Sequence, residues 1–141
     1  MMTKLGVLLA GRGAVAGAEV RDALAGAGLT MRSAFTLTHL AGGPVNQQTL
    51  IDLLGVDPSA LVTVLNELEA AGLVSRQRDP ADRRRHIVVI TAAGSRVLTV
   101  ADQVLDKADE NLFAALSPSE REQLQGLLAK VADSGSCGEK Y

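Results

Sequence analysis

Arg76-Gln77-Arg78-Asp79-Pro80-Ala81-Asp82-Arg83-Arg84-Arg85-His86 carries five of the fourteen Lys and Arg residues in a chain whose net charge is −2. A short alternating run, Leu73-Val74-Ser75, stands ahead of it. A β-branched run, Ile87-Val88-Val89-Ile90-Thr91, follows. Two strand-like flanks around a turn-rich centre predict a hairpin. Three consecutive arginines at its tip make it a device for reaching a polyanion.

The rest of the composition says what can hold such a device. A chain of 141 residues is expected to form one domain, and 47% hydrophobic residues are enough for a core. Aromatic residues are only 2% and Trp is absent, so that core is aliphatic. Ala and Leu dominate, which favours helices. The slightly acidic balance gives no global pull toward nucleic acid or membranes, so polyanion binding must come from a local patch. Cys137 is the one cysteine. It can form no internal disulfide and has no metal-ligand companions, which fits a reducing compartment. The apolar run Leu5 to Ala10 is too short to span a bilayer, and no cleavage region follows it. A cytoplasmic protein with no membrane partner and no cofactor is expected.

Helical spacing places the first helix over residues 4–27, with Leu5, Leu8, Leu9, Val15, Val20 and Leu24 as apolar positions and Gly28 as its stop. Its interior glycines each cost about 1 kcal/mol relative to Ala, so this helix must depend on packing, for which a partner chain is one source. Thr30 caps a second helix, 31–41, with Met31, Phe35, Leu37 and Leu40 apolar; Gly42-Gly43-Pro44 ends it. Asn46 caps a short helix, 47–54, with Leu50, Leu53 and Leu54 expected inward and Gly55 as its stop. Asp57 is an N-cap, Pro58 suits the first helical position, and Gly72 closes a helix over 58–71. Leu61, Leu65 and Leu68 face the core; Ser59, Val62, Thr63 and Asn66 form the opposite row. After the hairpin, Thr91 caps a long helix, 92–116, with Val97, Ala101, Val104, Leu105, Ala108, Leu112 and Leu116 as its stripe. Ser117-Pro118-Ser119-Glu120 is a capping box opening a last helix to about Asp133, with Leu124, Leu127, Leu128 and Val131 on one side. Residues 134–141 are expected to be a flexible tail.

Helix, tight turn, helix, hairpin within about 45 residues is a helix-turn-helix followed by a wing. The fold class expected is mainly α with a small β-hairpin wing. On these residues the chain resembles the MarR family of bacterial transcription regulators. The resemblance is carried by Asn46 to Ser59, by Leu68-Glu69 with Gly72-Leu73-Val74, and by the wing Asp79-Pro80-Ala81-Asp82-Arg83-Arg84. The family's wing pattern, Asp-x-Arg-x-x-x-Val-x-Leu-Thr, stands here as Asp82, Arg84, Val88, Ile90 and Thr91, with isoleucine in place of leucine.

The resemblance implies one domain over 1–133: a winged helix-turn-helix at 30–91 and a helical dimerisation region at 4–28 and 92–133. It implies a homodimer that puts the second motif helix in a major groove of double-stranded DNA and the wing in the adjacent minor groove. The residue chemistry is compatible. Ser59, Val62, Thr63 and Asn66, with Ala60 beside them, offer hydroxyl and amide groups and an apolar contact for a thymine methyl. Gln47, Gln48 and the helix N-termini can donate to phosphates. Arg83, Arg84 or Arg85 can enter a narrow minor groove, while one arginine, Arg84 by preference, can instead pair with Asp82 and stiffen the turn. One departure matters: many relatives carry a basic residue where this chain has Thr63, which shifts more of the affinity to the wing.

Each reading has a plainer counterpart. The arginines can be a solvated turn, and the Ser59 row an ordinary exposed face, although an exposed valine at 62 gains nothing from water. The resemblance also suggests a pocket for a small aromatic or phenolic anion, for which Met31, Phe35 and His39, with Arg12 and Arg32 as cations, are the candidates; core packing and surface charge are the alternatives. A redox role for Cys137 lacks the electropositive surroundings that lower a thiol pKa. No catalytic set or metal-ligand spacing is present, so no enzyme is expected. The expected function is a DNA-binding regulator, a repressor before an activator, released by an effector. The alternative is a winged-helix interaction module that has lost sequence-specific DNA binding.

Overall fold

A computed structural model of the chain describes residues 1–131. The expectations for Cys137, for the 134–141 tail and for the last helical residues up to Asp133 lie outside the described residues. Among the described residues six helices and three short strands follow one another as α1 (Leu5–Gly26), α2 (Met31–Leu40), β1 (Val45–Asn46), α3 (Gln47–Leu54), α4 (Pro58–Ala70), β2 (Val74–Arg78), β3 (His86–Ile90), α5 (Ala92–Leu112) and α6 (Pro118–Lys130).

The helix starts are set by side chains that replace missing backbone partners. Thr30 Oγ1 accepts from Ser33 N at 3.1 Å, Asn46 Oδ1 from Thr49 N at 2.7 Å and Thr91 Oγ1 from Gly94 N at 3.0 Å. At Ser117 both halves of the capping box are made. Asp57 occupies the N-cap of α4, but its side chain makes no capping bond; only its backbone oxygen enters the helix, accepting from Leu61 N at 3.1 Å. The tight turns rest on Gly55 (φ 61°) and Gly72 (φ 75°), a left-handed conformation that side chains disfavour.

The hairpin is one part of a three-stranded antiparallel sheet of order β1-β3-β2. The third strand is a correction to the expected two. Val45 pairs with Val88 and Asn46 with Ile87, so Asn46 serves at once as a strand end and a helix cap. The hairpin strands also run further than expected: Arg76, Gln77 and Arg78 pair with Val88, Ile87 and His86 instead of belonging to the turn-rich centre.

The core is aliphatic. Leu37, Leu40, Leu50, Leu61, Leu65 and Val88 are fully buried, and Leu24 of α1 and Ala101 of α5 join them. Each such large side chain contributes on the order of 1.5–3 kcal/mol. Leu53 does not join: it is 51% exposed, because Leu50 and Leu54, one turn apart, take the inward positions of an eight-residue helix. The long helix ends at Leu112, four residues short of the expected Leu116. There the chain tightens, Leu116 N donating to Phe113 O at 2.9 Å, and Arg121 Nε reaches across to the same carbonyl at 3.2 Å. Two helices are poorly covered within one chain. Leu5, Leu8, Leu9 and Val15 of α1 are exposed, and α6 has no buried residue, its Leu127 and Leu128 being open.

Candidate nucleic-acid interface

The chain turns through 111° between α3 and α4. Leu61, Val64, Leu65 and Leu68 anchor α4 in the core, which leaves Ser59, Val62, Thr63 and Asn66 exposed on one face and Ala60 half-buried. The structure therefore brings the whole predicted row together. Thr63 Oγ1 donates to Ser59 O at 3.1 Å, so that hydroxyl offers an acceptor to a ligand before it offers a donor.

The start of α3 faces the wing. Gln47 and Gln48 line a groove of about 500 Å³ with Asn46, Thr49 and Ile51 on one side and Arg85 and His86 on the other. Gln48 Nε2 bonds Asp52 Oδ1 at 3.3 Å, which holds its side chain along the helix. Helix N-terminal amides and an arginine across one groove suit an anion.

The wing tip is ordered by its own residues. Asp79 Oδ1 accepts from Ala81 N at 2.9 Å and Asp82 Oδ1 from Arg84 N at 3.1 Å, two aspartate turns in succession. Asp79 N donates to Arg85 O at 2.9 Å and Arg78 Nη1 to Arg83 O at 3.0 Å. The expected Asp82–Arg84 pair is present at 3.4 Å, with Arg85 Nε at 3.8 Å on the other carboxylate oxygen. Such exposed pairs are worth about 1 kcal/mol or less; their effect is to set the tip while Arg83, Arg84 and Arg85 stay exposed.

Arg76 behaves differently from its neighbours in sequence. Its side chain is 26% exposed and folds back on α4, with Nε 3.0 Å from Glu69 Oε2 and Nη2 2.6 Å from Asn66 Oδ1. The Arg76 side-chain hydrogen bond holds the Glu69 carboxyl below the usual carboxylate range; desolvation opposes it, and the Arg76 charge and backbone N–H add to it. Asn66 thus stands on the exposed row with its carbonyl oxygen taken. Counting Arg76 only as one of the five basic residues of the stretch misses this role; the available signal is that residues 69 and 76 flank the Gly72 turn at similar distances.

The suggested effector residues have different surroundings. Met31 and Arg32 border a groove of about 460 Å³ whose other wall is Ala60, Thr63, Val64 and Glu67 of α4. Phe35 is half-buried against the core, while Arg12 and His39 are exposed. Among the described residues no three His, Cys, Asp or Glu converge as a metal site, and no single helix is long and apolar enough to cross a membrane.

The family model that matches this sequence is that of the MarR family, over residues 27–85. A Thauera aromatica protein whose name assigns it to transcriptional regulation of the hcr operon is 36% identical over 67% of this chain, a stretch that spans 58% of the relative's length. An HTH-type transcriptional repressor of Mycobacterium tuberculosis is 33% identical over 90% of this chain and 92% of its own. Among solved structures, CouR from Rhodococcus jostii RHA1 bound to p-coumaroyl-CoA superposes with a TM-score of 0.76 at 31% identity, covering 96% of each chain.

Proposed function

This chain belongs to the MarR family, and on that premise we propose that it is a homodimeric repressor of transcription that binds a pseudo-palindromic operator in the cytoplasm. Residues 30–91 form the DNA-reading unit, and 4–28 with 92–133 form the dimerisation region. The observation that carries the reading is the ordered wing: three exposed arginines on a tip set by Asp79 and Asp82, with Arg85 facing the start of α3 across the groove that Gln47 and Gln48 line. Ser59, Ala60, Val62, Thr63 and Asn66 supply the major-groove face, and Arg83 and Arg84 the minor-groove contact. The near full-length likeness to a named repressor supports the direction of regulation. The exposed leucines of α1 and α6 support the dimer.

A small aromatic or phenolic anion is the effector class we propose, because CouR, similar over 96% of the chain, is a structure with p-coumaroyl-CoA bound. The Met31–Arg32 groove shares Thr63 with the DNA face, so an occupant there would compete with DNA. An effector can shift operator occupancy only by its differential affinity for the free and bound states.

The test is fluorescence anisotropy on the DNA upstream of the protein's own gene, across a salt series. Affinity should fall steeply with salt, and Arg83→Ala with Arg84→Ala should cost about 1–3 kcal/mol. The second reading, an interaction module without sequence-specific DNA binding, is favoured by the neutral Thr63 and the net charge of −2. It gains if no duplex is bound specifically at any salt concentration.

A further inference from the structure

The wing leaves the body of the protein as an arm. Val74 and Val88 are buried at its root, and β1 supports β3 as far as Ile87. On the other side β2, paired with β3, is the edge strand of the sheet among the described residues. One side chain there ties it to α4. Arg76 gives Nε to Glu69 Oε2 at 3.0 Å and Nη2 to Asn66 Oδ1 at 2.6 Å. The same Glu69 oxygen also accepts the Arg76 backbone N–H at 3.3 Å, a group that an edge strand otherwise leaves to water. A planar guanidinium can fork to two acceptors in this way, whereas an ammonium behaves as a point charge.

We propose that Arg76 is a positioning residue: it fixes the wing against the DNA-facing helix α4, so that the arginines at the tip act on DNA only while this tie is made. The tie spans α4 from Asn66 to Glu69, one helical turn, and therefore sets the wing's orientation as well as its distance. It also gives Asn66 a defined sense. Guanidinium offers donors only, so the amide turns its oxygen to Arg76 and its NH2 group outward. The part of this inference that concerns DNA rests on the proposed function; the part that concerns the wing does not.

The full-length protein with Arg76→Met, which keeps the aliphatic stem and removes every donor, carries the test in two arms. Without DNA, hydrogen exchange of the wing amides Gln77 and Ile87 should speed up at least about tenfold, while core amides such as Leu65 stay protected. With DNA, a double-mutant cycle is measured against Arg83→Ala/Arg84→Ala. In the wild-type background the wing pair should cost about tenfold or more in affinity; beside Arg76→Met it should cost less than about threefold. Arg76→Lys, which keeps the charge but not the fork, should fall between. Should Arg76→Met fail to fold, Arg76→Lys and Glu69→Gln carry the same two arms. Additive losses, or unchanged exchange in the wing, overturn the inference. A wild type that binds no DNA removes the proposed function instead, and the exchange arm still decides whether Arg76 holds the wing.

Discussion

Gly94 lies directly beneath Leu73: a β-carbon built on Gly94 would overlap the Leu73 carbonyl oxygen and press on Ile90 Cγ1. The approach joins the root of the wing to the start of α5. Thr91 completes the joint, donating its hydroxyl to Gly72 O at 2.6 Å while accepting from Gly94 N at 3.0 Å. Backbone atoms cannot swing aside as a flexible side chain can, so Gly94→Ala should destabilise the protein by about 1–3 kcal/mol. Gly26→Ala is the contrast, because nothing lies within 4 Å of its added β-carbon. It should stabilise by about 0.4–1 kcal/mol. Urea unfolding of both decides; an unchanged midpoint for Gly94→Ala would show that the strand relaxes away.

Much of this was legible in the sequence because the signals were local. Thr30, Asn46, Thr91 and Ser117 each cap the helix they precede, since a short polar side chain satisfies N–H groups a few residues away. The exposed row on α4 follows from helical period alone. What escaped depends on distant partners. Val45 and Asn46 are too few to show a strand period, and only Val88 and Ile87 across the sheet make them one. The apolar stripe runs on past Leu112, so nothing local announced the end of α5; Arg121, eight residues beyond, holds the Phe113 carbonyl there. Charge alone sets Arg76 in the basic stretch between the two flanks, whereas its register opposite Val88 and its bond to Glu69 place it at the root.

Thr63 is the place to add a charge. It is exposed on the α4 row, with its hydroxyl turned to Ser59 O at 3.1 Å. Thr63→Lys should steepen the dependence of log K on log salt by about 0.9 per subunit if the new ammonium meets a phosphate. Binding to random duplex should strengthen alongside binding to the operator, because a phosphate contact carries no sequence information. An unchanged salt slope would place Thr63 away from the DNA backbone.

Glu69 gives the tie between wing and helix a pH dependence. The Arg76 hydrogen bond holds its carboxyl below the ordinary 4.5. A carboxyl with a depressed folded-state pKa contributes stability that is fully present above 4.5 and lost as pH falls through the lower, folded value. The stability difference between wild type and Glu69→Gln should therefore be constant from neutral pH down to about 5 and shrink below 4.5. In Arg76→Met the Glu69 carboxyl should titrate higher than in the wild type, followed by side-chain carboxyl NMR shifts. A titration that ignores the Arg76 substitution would mean that the pair does not persist in solution.

Ser117 and Glu120 hold the start of a helix that has no buried residue of its own. Ser117 Oγ accepts from Glu120 N at 3.1 Å, and Glu120 Oε1 accepts from Ser117 N at 2.9 Å, which also lowers the Glu120 pKa. Ser117→Ala should cost about 1 kcal/mol of helix stability. With no core contacts to compensate, the loss should appear as faster amide exchange confined to 118–130. Uniform loosening of the whole protein would contradict that local assignment.

The same uncovered helix carries the dimer proposal to its sharpest test. Leu127 and Leu128 of α6 are 60% and 43% exposed, and Leu5, Leu8 and Leu9 of α1 are open as well. Scattered exposed leucines are ordinary, but a run of them on two helices marks a surface that another chain can bury. Burying one leucine contributes about 1.5–3 kcal/mol, and two-fold symmetry counts each position twice. Leu128→Asp should therefore raise the dimer dissociation constant by at least two orders of magnitude, with Leu9→Asp acting in the same sense. Sedimentation velocity across a concentration series reads this directly. Operator binding should weaken in parallel, since a monomer engages one half-site, while a single half-site on a short duplex should be bound nearly as before. A Leu128→Asp protein that stays dimeric at every concentration would move the interface away from α6.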